Sequence, residues 1–157
     1  MRGWLRILLI CAVLPLALSC EEQGDVEVTL QEELRHANGL VVQRPDGFRA
    51  IEEAAGFAFE EEGMIRSPRL LRVLRLEQAP SQEPTGSRKL ESGVSASYAV
   101  EKRSGGSAGD EYELTAWRAA GDSWIAVSET AQSETGEPDF AVAWALIDQA
   151  RLAGQME

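Results

Sequence analysis

Val94-Ser95-Ala96-Ser97-Tyr98-Ala99-Val100-Glu101 is the stretch that decides the fold. Val94, Ala96, Tyr98 and Val100 alternate with Ser95, Ser97, Ala99 and Glu101, the two-residue period of a strand with one face toward a core. Ser104-Gly105-Gly106-Ser107-Ala108-Gly109 follows as a flexible hairpin loop. The chain returns with Tyr112, Leu114 and Ala116 on one face and Glu113, Thr115 and Trp117 on the other, and Ala120-Gly121-Asp122 turns it into Trp124 to Ser128. The pattern is an antiparallel meander.

Toward the C-terminus, Thr130 to Glu137 is polar and expected to be exposed. Pro138 then opens a helix in which Phe140, Ala143, Trp144, Ile147 and Ala150 recur at i+3 and i+4, with Gly154 as the stop. Such a stripe has the spacing that docks a helix on a sheet, so its aromatics read as core and not as a ligand box. The fold class is α+β, a single domain with an antiparallel sheet covered by the C-terminal helix.

Toward the N-terminus the signals are shorter. Val26-Glu27-Val28-Thr29-Leu30 alternates as a strand, Leu40-Val41-Val42 follows Asn38-Gly39, and Arg44-Pro45-Asp46-Gly47-Phe48 supplies a turn. Phe57 and Phe59 suggest another strand, ended by Glu60-Glu61-Glu62-Gly63. Residues 69 to 77 fit two readings: Ser67-Pro68 suits a helix start, while Leu70, Leu74 and Leu76 against Leu71 and Val73 suit a strand buried on both faces, which we favour. Arg66, Arg69, Arg72 and Arg75 recur every third residue and read as solubilising partners for the acid excess. Ala79 to Ser87, with Pro80, Pro84 and Gly86, reads as a loop.

The first twenty residues form an address. Arg2 and Arg6 precede an apolar run from Ile7 to Leu18 that is too short for an ordinary membrane span. Leu16-Ala17-Leu18-Ser19-Cys20 resembles a bacterial lipobox, although Ala17 stands where that motif usually has Leu. The resemblance implies cleavage before Cys20, lipidation of its thiol and acylation of the new amine. A plain secretory signal and an uncleaved anchor are the alternatives. Residues 1–19 are then the signal peptide, 20–25 the lipidated cysteine and tether, and 26–157 the domain. Glu21 after the cysteine implies, by the same resemblance, outer-membrane sorting over inner-membrane retention. Cys11 would leave with the signal, so the processed domain would hold neither a disulfide nor a CxxC metal site.

The whole chain carries 15 Lys and Arg against 26 Asp and Glu. Loss of Arg2 and Arg6 leaves 13 basic residues against 26 acidic, a formal charge of −13. Repulsion from phosphate excludes a nucleic-acid binder, and no basic patch supports adhesion to anionic lipid. A basic protein partner fits. Catalytic sets do not assemble. His36 is the only histidine, reads as an exposed loop residue, and has no nucleophile-elbow serine to serve. The acids lack the spacing of a calcium loop, and the Gly-rich loop lacks the Lys-Ser/Thr of a phosphate loop, so no cofactor and no metal are expected.

A lipobox cysteine before a small, acidic, cysteine-free domain resembles the periplasmic immunity lipoproteins that neutralise type VI secretion effectors. Arg44-Pro45-Asp46-Gly47-Phe48, Glu137-Pro138-Asp139-Phe140 to Arg151 and the strands between them are similar to the immunity family directed against muramidase effectors. That resemblance covers most of residues 21 to 153 and implies a protein that binds a peptidoglycan-cleaving enzyme and blocks its substrate groove. The order of turn, meander and terminal helix also resembles PsbP-like domains, at the level of fold. Two polar loops, Ser104 to Glu111 and Thr130 to Asp139, supply the candidate contacts Asp110, Glu111, Gln132, Ser133, Glu134, Glu137 and Asp139. Antiparallel connectivity is compatible with these loops at opposite ends of the strand pair, so no single continuous site is read from them. The alternative function is an envelope accessory or assembly lipoprotein that docks on another membrane protein.

Overall fold

A computed structural model describes residues 28–63, 69–105 and 109–154. The lipobox, and Val26 and Glu27 of the Val26–Leu30 segment, lie outside them. The strands are β1 (Leu30–Arg35), β2 (Leu40–Pro45), β3 (Phe48–Glu53), β4 (Gly56–Glu61), β5 (Leu70–Leu76), β6 (Gly86–Lys89), β7 (Ser95–Ser104), β8 (Asp110–Ala120) and β9 (Ser123–Ser133), followed by α1 (Ala141–Gln149) and β10 (Arg151–Leu152). Seven strands pair antiparallel in the order β3-β4-β5-β9-β8-β7-β6, and β1-β2-β10 form a second, three-stranded sheet. No helix among the described residues is long and apolar enough to cross a membrane.

The α+β architecture and the meander stand as the sequence predicts. Ala96, Leu114 and Ala116 are buried on the face of the large sheet that α1 covers, together with Phe57, Phe59, Leu71, Val73, Ile125 and Val127. The helix contributes Phe140, Ala143, Leu146, Ile147 and Ala150 to the same core, and Leu40 and Val42 of β2 join it from the small sheet. These side chains make one two-layer domain: the large sheet below, α1 and the small sheet above.

The opposite face of the large sheet has a smaller cluster, Ala99, Trp117 and Ala126 with Leu76 and Trp124 at its border. Trp117 is only 4% exposed although no helix of the described residues lies there. The connection from β5 to β6 has to pass β9, β8 and β7, and it crosses this side, where Gln82 Nε2 donates to Glu101 Oε1 at 2.9 Å. Within residues 69 to 77, Leu70–Leu76 resolve as a strand, with Leu71 and Val73 buried and Leu70, Leu74 and Leu76 half-buried on the other face.

Several expectations are corrected. The first strand begins at Leu30, so the Val28-Thr29 alternation precedes it. β3 carried no readable signal, because Glu52 shares the inward side with Phe48 and Ala50 and breaks the alternation. Val94 is exposed and lies before β7. Gly86 and Ser87 belong to β6 and not to the loop before it. Thr130 to Ser133 continue β9, and Asp110 and Glu111 open β8, so both polar loops are shorter than their composition suggests. The helix starts three residues after Pro138 and ends at Gln149, where Ala150 turns extended and leads into β10; Gly154 does not stop it. Gly47, at φ 76°, makes the turn between β2 and β3. At Gly56 a Cβ would stand 2.0 Å from the Val73 carbonyl oxygen, so glycine lets β4 start against β5.

Candidate functional site

Register brings the two polar loops to one end of the meander. Asp110 is opposite Ser133 and Glu111 opposite Gln132, while Ala120 and Ser123 close the far end. The question that the sequence left open, whether the loops lie at opposite ends of the strand pair, is thereby answered: the β7–β8 hairpin and the β9–α1 connection emerge side by side. The hairpin tip, residues 106–108, lies outside the described residues.

Pleating divides the candidate residues between faces. Asp110 and Ser133 lie on the helix side, and Glu111 and Gln132 on the other. Asp110 accepts from Lys102 Nζ at 2.6 Å. That hydrogen bond, and then the aspartate's charge, holds the Lys102 ammonium above its ordinary value. The ammonium also stands 5.6 Å from the centre of the Tyr112 ring. On the outer face Arg103 lies 3.1 Å from Glu113, 3.4 Å from Glu101 and 3.8 Å from Glu111. Asp110 and Glu111 are thus already engaged with cations. Gln132, Glu134 and Glu137 are exposed, and Ser133 Oγ accepts from the Thr135 amide at 3.4 Å.

The connection from Glu134 to Phe140 runs back over the helix side and ends in an unusual start for α1. Phe140, the N-cap residue, is left-handed at φ 52° and buried, with no side-chain cap of its own. Asp139 Oδ1 accepts from the Ala141 amide at 3.1 Å. Glu129 of β9 supplies a second acceptor: fully buried, it accepts from the Ala143 amide at 3.2 Å and from Arg69 Nε at 3.0 Å. Burial raises its carboxyl above the ordinary range, against the lowering by Arg69 and Ala143, and the charge of Asp139 adds to the rise. A carboxylate from the sheet therefore caps the helix at the positive end of its dipole.

Beside this connection is a groove of about 370 Å3 lined by Tyr98, Val100, Leu114, Glu137, Asp139 and Trp144, with Ser87 and Arg88 of β6 on its rim. Glu137 and Asp139 are the two candidates that the structure places there. The sequence pattern puts Tyr98 on one face of an alternating strand and reads Trp144 as core. Both are half-buried, and their rings meet edge to face at 5.4 Å. Arg88 and Ser87 carried no signal, because only the long crossing from β5 to β6 brings them beside the helix.

His36 is not an exposed loop residue. Its side chain is 7% exposed, Nε2 donates to the Glu53 carbonyl at 2.9 Å, Nδ1 accepts from the Asn38 amide at 3.2 Å, and the ring packs edge-on against Phe57. Both nitrogens are occupied by backbone, which leaves neither to act as a general base. Of the periodic arginines, Arg69 pairs with Glu129 and Arg72 with Glu53, as expected for the acid excess, while Arg75 donates to Ser123 Oγ and the Asn38 carbonyl. Arg66 lies outside the described residues.

Comparison with known proteins places this arrangement in a family. Residues 41–151 match the type six secretion immunity 3 domain, Tsi3. The chain is 49% identical over 146 residues to the Immune protein Tsi3 of Pseudomonas aeruginosa PAO1, covering 93% of this chain and 97% of that protein. A crystal structure of a protein from Bacteroides thetaiotaomicron VPI-5482 shares the fold, with a TM-score of 0.60 at 10% identity over 82% of this chain. The chain spans about half the length of that structure, 51%. The matched segment runs from β2 to the first residue of β10 and so includes the meander, the acidic connection and the helix: the chain belongs to the Tsi3 family of type VI secretion immunity proteins, which implies a cognate effector protein as its partner.

Proposed function

We propose that the chain is a non-enzymatic periplasmic inhibitor, anchored through lipid on Cys20 to the outer membrane, that binds a muramidase effector and covers its peptidoglycan groove. The observation that carries the inhibitor reading is the acidic end of the meander, where Glu134, Glu137 and Asp139 project from one connection beside the hairpin loop that ends at Asp110. Among the described residues none of those three is in an ion pair, so their charge is available to a basic surface. The address is supported by the lipobox-like Leu16 to Cys20. The muramidase is supported by the similarity of Arg44 to Phe48 and Glu137 to Arg151 to immunity proteins of that class. Inhibition is by occlusion: the loops enter the enzyme's cleft, exclude its substrate and need no cofactor. Residues 26–157 act as one domain on a short tether.

The test is protection. A muramidase effector exported to the periplasm of a heterologous bacterium should lyse its host, and the full-length chain should rescue growth. A form lacking residues 1–19 should stay inside the cytoplasm and fail, and Cys20→Ser should lose metabolic labelling with palmitate. Rescue by the cytoplasmic form overturns the location, and unimpeded peptidoglycan cleavage in a mixture of the purified proteins overturns the inhibitor.

A further inference from the structure

The groove beside the acidic connection has two unlike parts. Tyr98, Val100 and Leu114 give it an apolar floor, and Glu137 and Asp139 bring carboxylates to one side. A neutral apolar occupant would bury those carboxylates without a counter-charge, and an anion would meet them directly. A long side chain with an apolar stem and a cationic head meets both requirements at once.

The structure already holds such a head against the groove. The Arg88 guanidinium lies 4.7 Å from the centre of the Trp144 ring, whose edge is fixed by Tyr98. Arg88 is exposed on a four-residue edge strand, and among the described residues its side chain has no carboxylate partner. It is held by the aromatic face alone, a weak attachment at an exposed site. Glu137 and Asp139 likewise have no basic partner among the described residues; Asp139 spends only Oδ1, on the Ala141 amide.

We infer that this groove seats one arginine or lysine side chain of the cognate effector, its stem on Tyr98, Val100 and Leu114 and its head between Glu137 and Asp139. Arg88 occupies the aromatic face in the free protein and yields to the incoming cation, which gains the carboxylates that Arg88 lacks. The inference rests on the inhibitor reading and names the contact that reading leaves open.

The full-length chain in detergent, titrated with the muramidase effector against which it protects, separates the two. Glu137→Gln with Asp139→Asn should raise Kd by about tenfold or more, as loss of charge-assisted contacts does. Glu91→Gln with Asp122→Asn, an equal charge change on exposed turns at the far end of the sheet, should leave Kd within about twofold. Arg88→Gln should tighten binding by about two- to fivefold, because it removes an internal competitor held by a cation–π contact. Circular dichroism melts of each variant separate binding from folding. Equal losses in the two double variants would show diffuse electrostatics and overturn the groove, as would weakened binding on Arg88→Gln. Failure of the unaltered chain to bind overturns the inhibitor reading and the groove together, whereas binding that ignores Glu137 and Asp139 overturns the groove alone.

Discussion

Glu129 is the residue at which sheet, helix and an arginine outside the strands are tied together. Its carboxylate is 0% exposed and has two kinds of partner, the Arg69 guanidinium and the Ala143 amide. Arg69→Ala leaves that charge buried without a cation and should cost on the order of 3 kcal/mol in urea unfolding, moderated because Arg69 itself reaches water. Because burial holds the Glu129 carboxyl above its unfolded value of about 4.5, the folded protein binds more protons than the unfolded chain between those two values. Its stabilising contribution is therefore complete below about 4.5 and declines as pH rises through the raised value. Glu33 acts with the opposite sign: the hydrogen bond from Arg151 lowers its carboxyl, so its contribution is present at neutral pH and is lost in acid. The stability difference between the unaltered chain and Glu129→Gln cancels the Glu33 term. That difference should fall from acid toward neutral pH, and a flat profile would refute the burial account. None of this was legible in the sequence, where Glu129 stood among exposed-looking polar residues. Glu129 faces inward because it shares a register face with Ile125 and Val127, four and two residues earlier.

The helix shows how an element can draw its end charges from its neighbours. Its nine residues have no acidic side chain in the first turn and no basic one in the last, and a helix of that length is marginal alone in water. Glu129 supplies the negative charge at its start. Arg118 of β8 supplies the positive one at its end, donating from Nε to the Ile147 carbonyl at 2.9 Å and from Nη2 to the Ala150 carbonyl. Burial lowers the Arg118 guanidinium's value, and the charge of Asp148 opposes the shift. Arg118→Met keeps the stem and removes both donors, so it should cost about 2 kcal/mol in urea unfolding. A loss within a few tenths of a kcal/mol would mean that apolar packing alone holds the helix end. The stripe from Phe140 to Ala150 made the helix readable, since period 3.6 survives whatever caps it. Its boundaries were not readable, because Pro138 and Gly154 are local signals, while the observed ends are set by Phe140 in a left-handed conformation and by Ala150 entering β10. β7 to β9 were legible for the matching reason: each alternates over a length that one-sided burial imposes. β3 was hidden by Glu52.

At the scale of the whole molecule the balance of 13 basic against 26 acidic residues after residue 19 was legible from composition, and it excludes phosphate-rich partners without choosing among proteins. What composition could not show is where the unspent charge lies. Arg103, Lys102, Arg69 and Arg72 neutralise acids along the strands, whereas Glu134, Glu137 and Asp139, close together where the chain leaves β9 for the helix, have no cationic partner among the described residues. Carboxylates clustered on one connection help to orient a basic partner during approach and speed encounter, and salt screens them over about 8 Å at physiological ionic strength. Association with the effector should therefore slow steeply as sodium chloride rises, while dissociation, governed by contacts made after docking, changes little. Stopped-flow mixing of the labelled proteins across a salt series reads both rates. Reversing Glu134 alone to lysine should flatten the salt dependence of the association rate and leave the melting temperature unchanged, because its side chain is exposed in the connection after β9 and holds no described element in place. An association rate indifferent to salt would assign recognition to shape alone and remove electrostatic steering from the account of how this immunity protein reaches its target.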